Sequence, residues 1–271
     1  YPVNISDIPL DRLYFRNEPQ INYYNQLEAN IITSRGCIYN CAFCGAARSL
    51  NKYVTVRERD VRSIIAEIKY LKNIYPKIKS IRVLDDLFLK SIGSIINAID
   101  VFVNYDINWR CMAHIRSFKD VPLNLIRNMK TSGCQELFIG IESGSVRILQ
   151  MINKTYDLEV IRNTIRKIFE AGINVKAYFI LGFPGENEDD FIASYILARQ
   201  IKKDSLECGV GFRVSAFQFR PYHGTKLYES IIQKNGTIGS FLPNRDLSKQ
   251  VGRTQFNLHS GNYSNCDNFL L

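Results

Sequence analysis

The 271-residue chain has no long apolar run. Its longest, such as "ELFIGI" at 136–141, are strand-sized, so nothing reads as a membrane span or a secretory leader. It has seven cysteines, an odd number spread unevenly. That excludes a fully paired disulfide scaffold and makes a reducing cytoplasm the expected location, where clustered cysteines more often bind metal or react. Acidic residues are in deficit, 26 against 35 Lys and Arg, giving a net charge of +9. No basic run or Arg-rich helix face accompanies that charge, so anionic substrates or cofactors are expected and nucleic acid is not. Low-complexity tracts are absent, as is any repeat beyond strand–helix alternation. A 46% hydrophobic content supplies a sizeable core, to which Trp109 and the many tyrosines belong as packing residues.

The middle of the chain alternates strands and amphipathic helices. "ANIITS" (29–34) reads as a strand feeding a cysteine loop. In "RDVRSIIAEIKYLKNIY", Val61, Ile64, Ile65, Ile68 and Leu71 recur at helical spacing, with Asp60 as N-cap. "SIRVLDD" (80–86) is the next strand, followed by a helix over 90–103, and "INWRCMAHI" (107–115) is the third. "VPLNLIRNMKTSG" is a helix closed by Gly133. "ELFIGIESGS" (136–145), "NVKAYFILGFPGE" and "FRVSAFQF" are further strands. The helices between and after them are "DLEVIRNTIRKIFEAG", ending at Gly172, then "NEDDFIASYILARQI", with acidic residues in its first turn, and "TKLYESIIQK".

Six βα units with near-continuous apolar strands predict a parallel α/β sheet, a partial (β/α)6 TIM-like barrel whose ligands sit at the C-terminal strand ends. The unusual residues fall at those ends: the cysteines, Asp85 and Asp86, Glu142 to Ser145, Gly182 to Glu186, and Arg220 to Gly224. The expected division is a linker or strap at 1–27, a core at 28–235, and a polar extension at 236–271 that reads as truncated, from a longer protein.

"SRGCIYNCAFCG" (34–45) places Cys37, Cys41 and Cys44 in a C-x3-C-x2-C pattern, and no fourth cysteine follows before Cys111. Structural zinc takes four protein ligands and iron–sulfur clusters usually take four cysteines. Three thiolates leave one position open, which on a 4Fe–4S cluster can accept an exogenous ligand. A zinc site completed by a distant residue such as His114 is the competing reading. A redox dithiol at "CAFC" fits poorly, because such motifs open a helix in a thioredoxin-like fold. Cys111 and Cys134 read as small core residues.

The cysteine triplet after a first strand, with Phe43 before its last cysteine, resembles the radical S-adenosylmethionine (SAM) enzymes. Further segments follow in the family's order: "LDD" (84–86), "GIESGS" (140–145) and "FILGFPGE" (179–186). The resemblance covers roughly residues 28–230. It implies a 4Fe–4S cluster on Cys37, Cys41 and Cys44, whose unique iron chelates SAM. Reductive cleavage of the sulfonium would then yield a 5′-deoxyadenosyl radical that abstracts hydrogen from a substrate. The cofactor-binding residues it implies are Phe43, Asp85, Asp86, Arg116, Glu142, Ser143, Ile180, Gly182 and Glu186. The family's Gly-Gly-Glu is absent at 84–86, where Asp85 and Asp86 stand instead. Candidates to meet substrate or catalyse are His114, Arg213, Arg220 and His223, with Gln218 beside them.

Within the family, "GCQELFIGIESGSVRILQMINK" and "FILGFPGENEDDF" look like the group holding cobalamin-binding enzymes and tRNA methylthiotransferases. "LDDLF", "FRPYHGTKLYE" and the opening "YPVNISDIPLDRLYF" are more similar to the cobalamin-associated branch. The expected substrate is a small molecule or natural product, with a flavodoxin- or ferredoxin-type electron donor. Cobalamin is expected only if a separate domain carries it. A methylthiotransferase is the alternative, and a non-catalytic zinc or cluster protein the other.

Overall fold

A computed structural model of the chain describes residues 18–50, 56–235 and 263–266. Its strands are β1 (Gln20–Ile21), β2 (Leu27–Ile31), β3 (Ser34–Arg35), β4 (Arg57–Glu58), β5 (Ser80–Val83), β6 (Asn108–Ala113), β7 (Cys134–Glu142), β8 (Asn174–Leu181) and β9 (Phe212–Gln218). Its helices are α1 (Val61–Ile74), α2 (Ile92–Phe102), α3 (Ile115–Phe118), α4 (Leu123–Thr131), α5 (Val146–Met151), α6 (Leu158–Glu170), α7 (Glu188–Glu207) and α8 (Lys226–Asn235).

The main sheet runs β1-β2-β5-β6-β7-β8-β9. From β2 to β9 every neighbouring pair is parallel, and β1 lies antiparallel on β2. Strand order follows chain order with a helix between successive parallel strands, and the sheet curls into the partial barrel the alternation predicts. β1 and β9 remain its two edges. The expected caps are present: Asp60 accepts from the Arg62 amide at 2.8 Å, and Asn187 forms a capping box with Asp190 at the acidic start of α7.

Two faces are written into each strand by its period of two. Ile81, Val83, Trp109, Cys111, Leu137, Ile139, Val175 and Ala177 are buried on the face toward the helices. Trp109 stacks on Phe102 at 5.0 Å, and its indole N–H donates to the Ser132 carbonyl. The alternate positions line the barrel interior, and their lower members are largely charged: Glu28, Arg82, Arg110, Glu136, Lys176 and Arg213. Apolar continuity therefore holds for one face only, because the lumen of an open barrel keeps polar contents. At its lower end Arg110 bridges Glu28 (2.5 Å) and Glu136 (2.9 Å), and Arg213 pairs with Glu136 at 2.6 Å.

Three local differences from expectation matter for the site. The "ANIITS" strand ends at Ile31, and Ser34–Arg35 instead pair with Arg57–Glu58 in a separate hairpin. The Thr33 amide leaves the ladder because it donates to Asp85. Two short helices, α3 and α5, follow β6 and β7 where only loops were expected. Gln20–Ile21, from the expected linker, add an edge strand. Most of the expected C-terminal extension lies outside the described residues, but Tyr263 is buried edge-on against Phe219 at 5.6 Å.

Candidate active site

The loop carrying Cys37, Cys41 and Cys44 sits on the C-terminal rim of the sheet. All three thiols are unpaired and half-buried. The loop is held from beneath by β5. Both Asp85 oxygens are used: Oδ1 accepts from the Thr33 amide (2.7 Å), Oδ2 from the hydroxyls of Thr33 (2.5 Å) and Ser34 (2.7 Å). Asp86 accepts from the Gly36 amide at 2.8 Å, one residue before the first cysteine. Asp85 is thus a positioning residue for the loop.

The other side of the loop is fixed by later elements. Tyr39 stacks on His114 at 4.0 Å and its hydroxyl meets Ser117 at 3.0 Å. The Ala42 amide donates to the Ile152 carbonyl (2.9 Å), and Asn153 donates to the Asn40 carbonyl (2.8 Å). Phe43 packs edge-on to Phe183 at 5.7 Å.

Burial pushes all three thiols up, Cys44 to about 11. Against that, the nearby backbone amides of Tyr39 and Ile38 pull the Cys37 thiol down, and that of Ala46 does the same for Cys44. Amides directed at cysteine sulfurs, three unpaired thiols and a gap in the ligand set fit a 4Fe–4S cluster. Among the described residues no group of three or more His, Cys, Asp or Glu, the cysteine triplet included, is drawn together closely enough to hold a metal ion.

Beside the cysteines lies a buried ion pair. Glu142, at the end of β7, has φ +76, a left-handed backbone rare outside glycine, and the β7–β8 register shifts between Gly140 and Glu142. The bulge folds the Glu142 carboxylate back over Gly140, where a Cβ would collide with Oε1 and approach Lys154 Nζ at 3.2 Å. Lys154 Nζ lies 3.3 Å from Glu142 Oε1, and both side chains are under 10% exposed. Burial lowers the ammonium's proton affinity, but Glu142, Cys41 and Cys44 raise it further, so Lys154 stays charged. Burial pushes the Glu142 carboxyl up against the pull of Lys154.

The small-residue loop after Glu142 docks on α7. Gly144 approaches the Ala193 carbonyl so closely that a Cβ has no room, and its amide donates to Ser194 Oγ at 2.8 Å. Ser143 is buried against the same hydroxyl, and Ser145 donates to Asp190 at 2.5 Å. At the next strand end, Glu186 Oε2 accepts from the amides of Gly182 (2.5 Å) and Phe183 (2.9 Å). Among the described residues its Oε1 is buried with no hydrogen-bond partner, and burial pushes the carboxyl up to about 7.

The remaining candidates divide. His114 is buried at the rim; burial, then Lys154 and Arg116, pull it down to about 2, and its Nδ1 accepts from the Arg116 amide. Arg116 donates to the Lys154 carbonyl at 3.1 Å. Ile180 lines the lumen beside Phe217. His223 is exposed, 4.9 Å from the Tyr228 ring, and Arg220 is half-buried just past β9. Arg213 lies on β9 and its guanidinium is bound to Glu136 in the lower lumen. Sequence reasoning missed Lys154 and Tyr39 as site residues; the only signal for Lys154 was a cation one turn past "SVRILQM".

Comparison with known proteins matches this arrangement. The profile of the Radical SAM superfamily matches residues 31–198. An uncharacterized methyltransferase of Pyrococcus horikoshii is 30% identical over 210 residues, covering 76% of this chain and 42% of that protein. A tRNA-2-methylthio-N(6)-dimethylallyladenosine synthase of Desulforamulus reducens is 29% identical over 195 residues, covering 67% and 41%. The chain thus spans about two fifths of the length of these curated relatives. The fold matches the cobalamin-dependent S-adenosylmethionine radical enzyme OxsB, solved with aqua-cobalamin and S-adenosylmethionine, at a TM-score of 0.68 and 17% identity, covering 97% of this chain and 42% of that one. No described helix is long and apolar enough to cross a membrane. With the profile match over more than half of its length, the chain belongs to the radical SAM superfamily.

Proposed function

We propose that Cys37, Cys41 and Cys44 hold a 4Fe–4S cluster at the rim and that SAM binds across the strand ends beside it, above a substrate in the lumen. The observation that carries this reading is the joint anchoring of the cysteine loop. Asp85 and Asp86 fix it from β5, and α3 and α5 fix it from the side, next to the Glu142–Lys154 pair. When bound, cluster and SAM together supply a one-electron cleavage of the sulfonium and a reactive carbon radical.

The chain's own residues do the positioning. Amides of Ile38, Tyr39 and Ala46 stabilise the thiolate sulfurs. Lys154 adds a buried positive charge next to an anionic metal group, which favours ligand binding by Cys41 and Cys44. Glu142, Ser143, Ile180 and the Gly182–Glu186 turn frame the neighbouring ligand surface, and Phe43 on Phe183 covers it from water. The neutral His114 holds Tyr39 in place. Arg220 and His223 stand where substrate would enter.

The substrate reading is a small molecule altered by hydrogen abstraction, with methyl transfer the outcome that the P. horikoshii relative favours. Electrons would come from a flavodoxin- or ferredoxin-type donor, and cobalamin would act only if a further domain supplied it. The second reading, tRNA methylthiolation, rests on the D. reducens relative and the charge of +9. It requires a second cluster, so about eight irons per chain support it and about four oppose it. Anaerobic incubation with SAM and dithionite tests the first reading. Formation of 5′-deoxyadenosine by wild type and its loss in Cys41→Ala support it. No cleavage by a cluster-loaded, SAM-bound wild type contradicts it.

A further inference from the structure

Among the described residues, the lumen below the rim holds more positive charge than negative. Glu28 and Glu136 balance Arg110 and Arg213. Two further inward cations, Arg82 on β5 and Lys176 on β8, have no ion pair among the described residues. Arg82 lies over the Phe138 ring at 5.1 Å, and its Nε is buried without an acceptor. Phe138 is the register partner of Lys176 on the adjacent strand, and the Lys176 ammonium lies over the Tyr178 ring at 5.3 Å, so both cations face the lumen around this aromatic pair. Burial, then Arg213, lowers the Lys176 ammonium's proton affinity; Glu136 pulls it back up in part, and Arg82 and Arg110 add to the repulsion. Unmatched like charges in a half-enclosed cleft are unfavourable alone and attract a counter-charge.

We infer that the lumen binds the phosphoryl-type head of the substrate, a phosphate ester or phosphonate. The Arg82 fork and the Lys176 ammonium hold its oxygens, and Tyr178 and Phe217 flank the rest of the molecule. Two unpaired cations match a dianion; a carboxylate would neutralise only one. Arg82 lies three residues below Asp85, about 10 Å along the strand, which leaves the distal part of such a substrate at the rim. This inference names the substrate class of the proposed site and rests on the reading that substrate occupies the lumen.

The test titrates inorganic phosphate, then acetate, into cluster-reconstituted protein by calorimetry at constant ionic strength. Arg82→Met, Lys176→Met and a surface control, Arg199→Met, run in parallel. Folding is checked by circular dichroism, and Arg82→Gln replaces a variant that fails to fold. The expected result is phosphate binding at least tenfold weaker in both lumen variants, unchanged in Arg199→Met, and acetate at least tenfold weaker than phosphate in wild type. No phosphate binding by wild type, loss in only one or neither lumen variant, or equal acetate binding overturns the proposal. Cluster absorbance is read in the same samples. A protein that takes up no cluster refutes the cofactor reading instead, so the two failures are distinguishable.

Discussion

Lys154 Nζ sits 3.3 Å from Glu142 Oε1, in a pocket that also receives the field of Cys41 and Cys44. A twelve-residue excursion through the Gly144 turn and α5 brings the two together. Removing the lysine alone leaves a buried carboxylate without its counter-charge. Lys154→Met is expected to destabilise the fold by about 3–5 kcal/mol, measured by denaturant unfolding, and to reduce cluster retention. The double variant Lys154→Met/Glu142→Gln should recover part of that stability, because no lone charge remains. Equal destabilisation in the two would show that the pair is not coupled.

Asp85 carries three hydrogen bonds into the chain just before the cysteines. Asp85→Ala strands two hydroxyls and one amide, at a cost of about 3 kcal/mol, and frees the loop. Iron bound per chain after reconstitution should fall with it. Retention of full iron content would mean that the loop keeps its shape without β5.

Gly140 is empty space for a carboxylate. Gly140→Ala pushes the Glu142 head off its site, with an expected loss of about 2 kcal/mol in unfolding free energy. Gly93→Ala, exposed on α2 with an ordinary contact to Ser91, should gain slightly through helix propensity. An equal effect at both positions would contradict the steric account.

Glu186 gives a pH dependence of definite sign. Its folded carboxyl lies near 7, above its ordinary value of 4.5. The folded state therefore binds the extra proton between those values, and stability falls as pH rises through that window. Glu186→Gln has no such proton to lose. The stability difference between variant and wild type should move in the variant's favour from pH 4.5 to 8, by up to about 3 kcal/mol. A difference independent of pH would show that Glu186 titrates normally.

Much of this architecture was legible in the sequence because the signals are local. Helical periodicity, the Asp60 cap and the Gly133 stop each act within a few residues, and chain-order strands follow from βα alternation. The cysteine loop was legible from spacing. What escaped depends on closure. Arg82 in "SIRVL" and Arg110 in "NWRCM" interrupt apolar runs, yet only the curl of the sheet turns those positions into a charged lumen. Arg213 read as a candidate to meet substrate because its place on a strand was clear and its Glu136 partner, 77 residues away, was not. Asp85 stood at the expected strand end, but the donors that occupy it lie some fifty residues earlier. Lys154 gave no periodic signal, since its partner is reached across a bulge.

Electron paramagnetic resonance of the reduced, reconstituted protein with and without SAM tests the central claim most directly, read together with iron and sulfide content. About four irons and four sulfides per chain, a cluster signal that shifts when SAM is added, and loss of that signal in Cys41→Ala are expected. A metal without sulfide, or a cluster signal indifferent to saturating SAM, would contradict it.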